Sequence, residues 1–178
     1  MRTIFIIFIY FISLNGSFAD QKSSRLDPLF KELTQIKNEL AADLILAEIW
    51  SIWSKTDNEM AQEIFEEGNQ LMSKGQFEES ILTFTEVIAL QPDFAEAWNK
   101  RATVYFFNGE FEKSIQDIEK TLSLEPRHFG ALDGLAQIYF LQDKFLKAAA
   151  TYEQLLQILP FSENAKRQLE RCLLYTSP

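Results

Sequence analysis

One cysteine, Cys172, stands in 178 residues, and that excludes an internal disulfide. One histidine, His128, accompanies it, too few ligands for a Cys/His zinc centre. Glycine and proline are sparse at 6 and 5, unlike a disordered or collagen-like chain. No glycine-rich phosphate loop is present. Positive charge is also short: 17 Lys and Arg face 26 Asp and Glu, a formal net charge of -9. That balance opposes a general nucleic-acid or anionic-membrane binder. What is there is 47% apolar and 24% charged, the composition of a folded domain of ordinary size.

The long apolar run comes first. Met1-Arg2 is followed by Ile4 to Leu14, then Asn15-Gly16, with small residues Ser17 and Ala19 just before Asp20. This is the order of a secretory signal cleaved between Ala19 and Asp20. The alternative is an uncleaved anchor, but a helix over Ile4 to Leu14 spans about 17 Å against a ~30 Å hydrocarbon core. No stable membrane insertion is therefore expected after cleavage. No cysteine adjoins the site, which excludes a bacterial lipid anchor there. Cleavage removes Arg2 and no acid, leaving a charge of -10. Export without disulfides suits a bacterial periplasm, so a periplasmic or secreted location is expected.

Three blocks then align without gaps at a period of 34: residues 61–94, 95–128 and 129–162. Position 8 holds Gly68, Ala102 and Ala136, and position 20 holds Ser80, Ser114 and Ala148. Large residues fill position 4 (Ile64, Trp98, Leu132), 11 (Leu71, Tyr105, Tyr139), 17 (Phe77, Phe111, Phe145) and 24 (Phe84, Ile118, Tyr152). Pro92, Pro126 and Pro160 share position 32. Small residues at 8 and 20 allow two antiparallel helices to approach, and the proline ends the second. Gly75 and Gly109 fall at the inter-helix turn, where a positive φ is cheap for glycine; in the third block Asp143 stands there, and Asp tolerates that conformation better than most residues.

These columns closely resemble the tetratricopeptide repeat (TPR) family, whose units are helix-turn-helix pairs. The resemblance implies an all-α fold, a right-handed α-solenoid of hairpins whose first helices line a concave groove. Residues 163–178 are expected to form a capping helix over Glu163 to Leu174 and a frayed tail from Tyr175. Residues 20–60 fit the register loosely. They predict a degenerate helical hairpin that caps the N-terminal end of the array, after a short polar lead-in. Its helices are expected over Pro28 to Lys37, with Asp27 as N-cap, and Leu40 to Ser54. Leu40, Leu44, Ile45, Ile49, Ile52 and Trp53 share one side of the second. An amphipathic helix on a flexible tether is the alternative.

Nothing in the sequence assembles a nucleophile, base or metal site. His128 reads as a solvated turn residue, and Cys172 as a buried residue of the capping helix. The acids read as a solvated face. No enzyme activity, cofactor or metal is expected. Function is expected in the groove, where positions 2, 5, 9, 12 and 13 of each block point. The candidate partner-binding residues are Phe65, Asn69, Met72, Asn99, Thr103, Phe106, Phe107, Gln137 and Phe140; Gly130, Asp133 and Leu141 share these positions. Met72, Phe106 and Phe140 form one column, an apolar ladder beside amides and hydroxyls that suits a peptide segment. Position 12 can equally be a packing column. Some TPR co-chaperones grip a peptide's terminal carboxylate with Lys, Arg and Asn. Asn69 matches one such position, but Phe65, Gly130 and Gly134 stand where cations are needed and Lys100 replaces an Asn, so no such clamp is expected. Arg101, at a column normally apolar, needs an acid, either Glu67 or Asp117. The expected function is a non-catalytic scaffold for a protein or peptide partner in the cell envelope. The alternative is self-association through the convex face or the end caps.

Overall fold

A computed structural model describes residues 23–36 and 39–176. The expected signal segment, its cleavage site, the start of the lead-in and the last two residues lie outside the described residues. The described chain is helical throughout: α1 (Leu26–Leu33), α2 (Glu39–Trp53), α3 (Glu59–Ser73), α4 (Phe77–Leu90), α5 (Ala95–Phe107), α6 (Phe111–Leu124), α7 (Phe129–Leu141), α8 (Phe145–Ile158) and α9 (Glu163–Leu174). Helices α3 to α9 pack consecutively, each on the next, as a helical-repeat solenoid.

Each hairpin follows from a few local rules. The turns between α3 and α4, α5 and α6, and α7 and α8 place Gly75 at φ 72°, Gly109 at φ 75° and Asp143 at φ 56°. Glycine adopts that left-handed conformation without a Cβ clash, and Asp tolerates it better than most residues. Pro92, Pro126 and Pro160 each follow the end of a second helix. Where helices cross, Ser80 Oγ donates to the Gly68 carbonyl at 3.0 Å and Ser114 Oγ to the Ala102 carbonyl at 2.8 Å. The position-20 serines thus pin the position-8 backbone as well as leaving room for it. The ring of Phe84 lies directly over Gly68, where a Cβ would stand 2.8 Å from Cε1.

Arg101 takes the second of its two expected partners. Its guanidinium donates to Asp117 at 2.7 and 2.8 Å and to Thr85 Oγ1 at 2.9 Å, and it lies over the Trp98 ring. Burial opposes the Arg101 charge, but the Asp117 hydrogen bonds and charge more than restore it and raise its pKa. Trp98 is only half-buried, its Nε1 donating to the Pro92 carbonyl at 3.0 Å.

The N-terminal hairpin departs from expectation. Helix α1 begins at Leu26, after Arg25 rather than Asp27, and ends at Leu33. Leu40 and Leu44 are each 83% exposed, so they do not share the buried side of α2 with Ile45, Ile49, Ile52 and Trp53. The hairpin also does not extend the array beyond α3. Its buried residues join one core with Phe129, Leu132 and Ala136 of α7, separate from the core of α3 and α4. Trp50 and Trp53 of α2 therefore pack on the N-terminal end of α7, with Lys100 of α5 over the Trp50 ring. Trp53 stacks on His128 at 4.2 Å, Trp50 meets Phe129 edge-on at 5.1 Å, and Arg127 donates to Asp27 of α1 at 2.7 Å. Gly130 makes room, since a Cβ there would stand 2.8 Å from Trp50 Cη2.

At the other end, α9 is capped by Ser162, whose Oγ accepts from the Ala165 N–H at 3.3 Å. Cys172 is buried, and burial pushes its thiol pKa up. Tyr175 is not frayed: its ring stacks on Phe145 at 4.6 Å and meets Phe140 edge-on.

Candidate functional site

The placement of α2 divides the inner face in two. Over the first half, positions 2 and 5 are covered. Glu96 and His128 are wholly buried, and Asn99 nearly so. The Ala131 N–H donates to His128 Nδ1 at 3.1 Å, so Nδ1 carries no proton. Nε2 then holds the ring proton and donates it to Glu96 Oε2 at 2.8 Å. That oxygen also accepts from Asn99 Nδ2 at 3.0 Å, and Lys100 Nζ lies 3.3 Å from Glu96 Oε1. The expected solvated His128 is instead a helix cap sealed beneath two tryptophans. Both ring nitrogens are engaged, which leaves neither free to act as a base.

Phe65 also differs from its expected role. It is 2% exposed, with its ring against Phe84 and Phe94, so it belongs to the core rather than to a binding surface. Gly68 explains this: without a Cβ it lets the Phe84 ring reach the space that Phe65 also fills. Asn69 turns its amide to the Phe65 carbonyl at 3.0 Å, beside the end of α2. Met72 packs onto the same core. These three candidates are not gathered with the others.

The remaining six meet at the second half, Asn99 only as its buried edge against the covered half. Asn99, Thr103, Phe106, Phe107 and Gln137 line a pocket of about 220 Å³ between α5 and α7, with Ile118 of α6 behind it. Phe106, Gln137 and Phe140 continue into an adjoining depression bounded by Tyr152 and Arg171. The Arg171 guanidinium lies 4.7 Å over the Phe140 ring, and Phe107 stacks on Phe77 at 6.0 Å. Of the expected ladder, Phe106 and Phe140 both line this depression and Met72 does not.

Two features of this pocket went unread as ligand-binding signals in the sequence. Gly134 lies on its wall, and a Cβ there would meet only Ile118 Cδ1 at 3.7 Å, an ordinary contact. Packing does not demand glycine at this position; the missing side chain keeps the pocket open. Asp133 is the second. Its Oδ2 accepts from Gln137 Nε2 at 2.7 Å, while its Oδ1 is buried with no hydrogen-bond partner among the described residues. Burial pushes the Asp133 carboxyl pKa up, and the Gln137 bond only partly opposes this. Two small residues one helical turn apart at positions 2 and 6 of the third block, flanking an acid, were the signal available.

Among the described residues no group of three or more His, Cys, Asp or Glu side chains is placed to hold a metal ion. No described helix is long and apolar enough to cross a membrane.

Comparison with known proteins bears on this arrangement. A TPR repeat model matches residues 68–109, and a tetratricopeptide repeat model matches residues 99–163. Together they span 68–163, more than half of the chain. A TPR repeat-containing protein of Rhizobium etli is 34% identical over 82 residues, covering 46% of this chain and 40% of its own. The match thus spans about two fifths of that relative's length. Among solved structures, the Sgt2 TPR domain of Aspergillus fumigatus superposes with a TM-score of 0.62 at 22% identity, covering 67% of this chain and 80% of that one. The first TPR domain of Spaghetti (RPAP3), bound to the HSP90 peptide SRMEEVD, gives 0.65 at 22% identity, covering 68% and 97%. The repeat columns, the hairpin geometry and these matches agree, and the chain belongs to the tetratricopeptide repeat family.

Proposed function

We propose that the protein is a non-catalytic interaction scaffold that holds a segment of a partner protein in the open half of its concave groove, in a periplasmic or secreted setting. The observation that carries this is the continuous depression between α5, α7 and α9, walled by Phe106, Phe107 and Phe140 with Thr103 and Gln137 beside them. Apolar side chains give such a surface affinity, and flanking polar groups fix the register of a bound backbone. The peptide held by the Spaghetti TPR domain supports the class of ligand. A terminal-carboxylate grip is not part of this reading: Gly130 and Gly134 supply no cation, and Trp50 stands over Gly130. The exported setting rests on the sequence of residues 1–19 alone.

The test is co-purification of partners by the full chain from its native cell envelope, with wild type against Phe106→Ala/Phe140→Ala. Loss of specific partners in the double variant is expected, and an identical set in both would refute groove recognition. A self-association reading is favoured by Leu40 and Leu44, one turn apart and exposed on the outer side of α2. Sedimentation of the mature chain at micromolar concentration separates the two: a dimer lost in Leu40→Glu/Leu44→Glu supports it, and a monomer removes it.

A further inference from the structure

We propose that the pocket between α5 and α7 receives the side chain of a lysine or arginine from the bound segment, with Asp133 as its counter-ion. This rests on the groove reading above and names the chemistry that reading leaves open.

Asp133 carries an unpaired carboxylate oxygen. Buried carboxylate oxygens are normally hydrogen-bonded, because desolvating one without a partner is costly. Asp133 Oδ1 has none, while Oδ2 is held by Gln137. No lysine or arginine of the described residues lies within salt-bridge distance of it. Lys100 is committed to Glu96, Arg101 to Asp117, and Arg171 to Gln168 and the Phe140 ring. The carboxylate is thus held by one neutral amide and has no cation of its own, and its side chain lines the pocket.

The walls fit the stem and head of a basic side chain. Ala102, Ile118 and Gly134 supply apolar or open surface where methylenes can lie. Phe106 and Phe107, set edge to face at 5.8 Å, flank the pocket with aromatic surface that attracts a cation. At about 220 Å³ the space is smaller than the ~300–1,000 Å³ typical of small-molecule sites, which suits a single side chain. The sign of the whole molecule agrees, since a chain with net charge -9 draws basic segments toward it. A cation in the pocket would give the Asp133 carboxylate the counter-charge it lacks and repay the desolvation that raises its pKa.

The test is selection from a displayed library of random heptapeptides on the full chain, in parallel on wild type, Asp133→Asn, Asp133→Glu and Gly134→Leu, with folding of each checked by circular dichroism. The expected result is enrichment of Lys or Arg at one position on wild type. That enrichment is lost on Asp133→Asn, retained on Asp133→Glu, and accompanied by roughly tenfold weaker binding of the selected peptides to the Asn variant. General attraction to an acidic protein would survive the removal of one charge among 26 acids, so equal enrichment on Asp133→Asn overturns the assignment. Selected peptides without a basic position, yet lost on Gly134→Leu, overturn the cation and leave the groove reading standing. Should Gly134→Leu not fold, Phe106→Ala takes its place. Identical selection on wild type and the filled-pocket variant, or no selected peptide at all, overturns both.

Discussion

Three glycines in first helices make one substitution test the packing at three places. Gly68, Gly130 and Gly134 all lie within α3 or α7 and have no positive φ, so alanine fits the backbone at each. In a helix interior, alanine is favoured over glycine by about 0.5–1 kcal/mol through backbone entropy. At Gly134 the new Cβ makes an ordinary 3.7 Å contact, so most of that gain should appear. Gly134→Ala is expected to raise the Tm by about 1–4 °C for a chain of this size. At Gly68 the same methyl would lie 2.8 Å from the fully buried Phe84 ring, and overpacking of about 1–3 kcal/mol outweighs the entropy gain. Gly68→Ala should lower the Tm by several degrees. At Gly130 the clash is with Trp50, and the helix gain is smaller because the site is in the first turn. Gly130→Ala should destabilise and, unlike Gly68→Ala, change tryptophan emission as α2 is displaced. Thermal and urea unfolding followed by circular dichroism and fluorescence measure all three. A Gly134→Ala protein destabilised as much as Gly68→Ala would refute the claim that the pocket wall has room.

Phe84→Ala should cost about 3–5 kcal/mol in urea unfolding, whereas Trp98→Ala, half-buried and solvent-edged, should cost clearly less. Asp117→Ala leaves Arg101 partly buried without its acid and should cost about 2–4 kcal/mol; Thr85→Val, which removes one neutral acceptor, should cost about 1 kcal/mol or less. Because the folded Asp133 pKa lies above its unfolded value, the native state binds the extra proton, and stability falls as pH rises from the ordinary carboxylate value through the raised one. Asp133→Asn should abolish that fall, seen as a flatter Tm-against-pH profile between acidic and neutral pH. Cys172, buried with a raised thiol pKa, should resist a thiol reagent in the native protein and react at once in denaturant.

The repeated hairpins were legible because each is specified locally. The turn at Asp143 adopts the same positive φ as Gly75 and Gly109, and the charge at Arg101 finds the acid sixteen residues on, across its own hairpin. What escaped was the docking of α2, since that contact joins elements with no common period. A helix with apolar residues on several sides does not say which side is inward, so Leu40 and Leu44 were assigned wrongly. His128 was misread for the same reason: its burial comes from Trp50 and Trp53, more than seventy positions earlier in the chain. Gly130 beside it was the available hint, a small residue in the first turn of a helix beneath two unplaced indoles. Phe65 followed its column in periodicity but not in environment. The neighbouring blocks carry Asn99 and Asp133 there, and only the first carries a ring that the Phe84 and Phe94 rings can enclose.

Solenoids ordinarily unravel from their ends, because each unit leans only on the next and stability is nearly a sum over neighbours. Here α1 and α2 reach past α3 and α4 to grip the junction before α7, with Asp27 and Arg127 linked across 100 residues of chain. A zipper fastened in this way cannot open one tooth at a time from its first tooth. Release of α1 and α2 is therefore an opening of its own, separate from fraying at α3, and the entropy of that long loop makes the clasp a late arrival in folding.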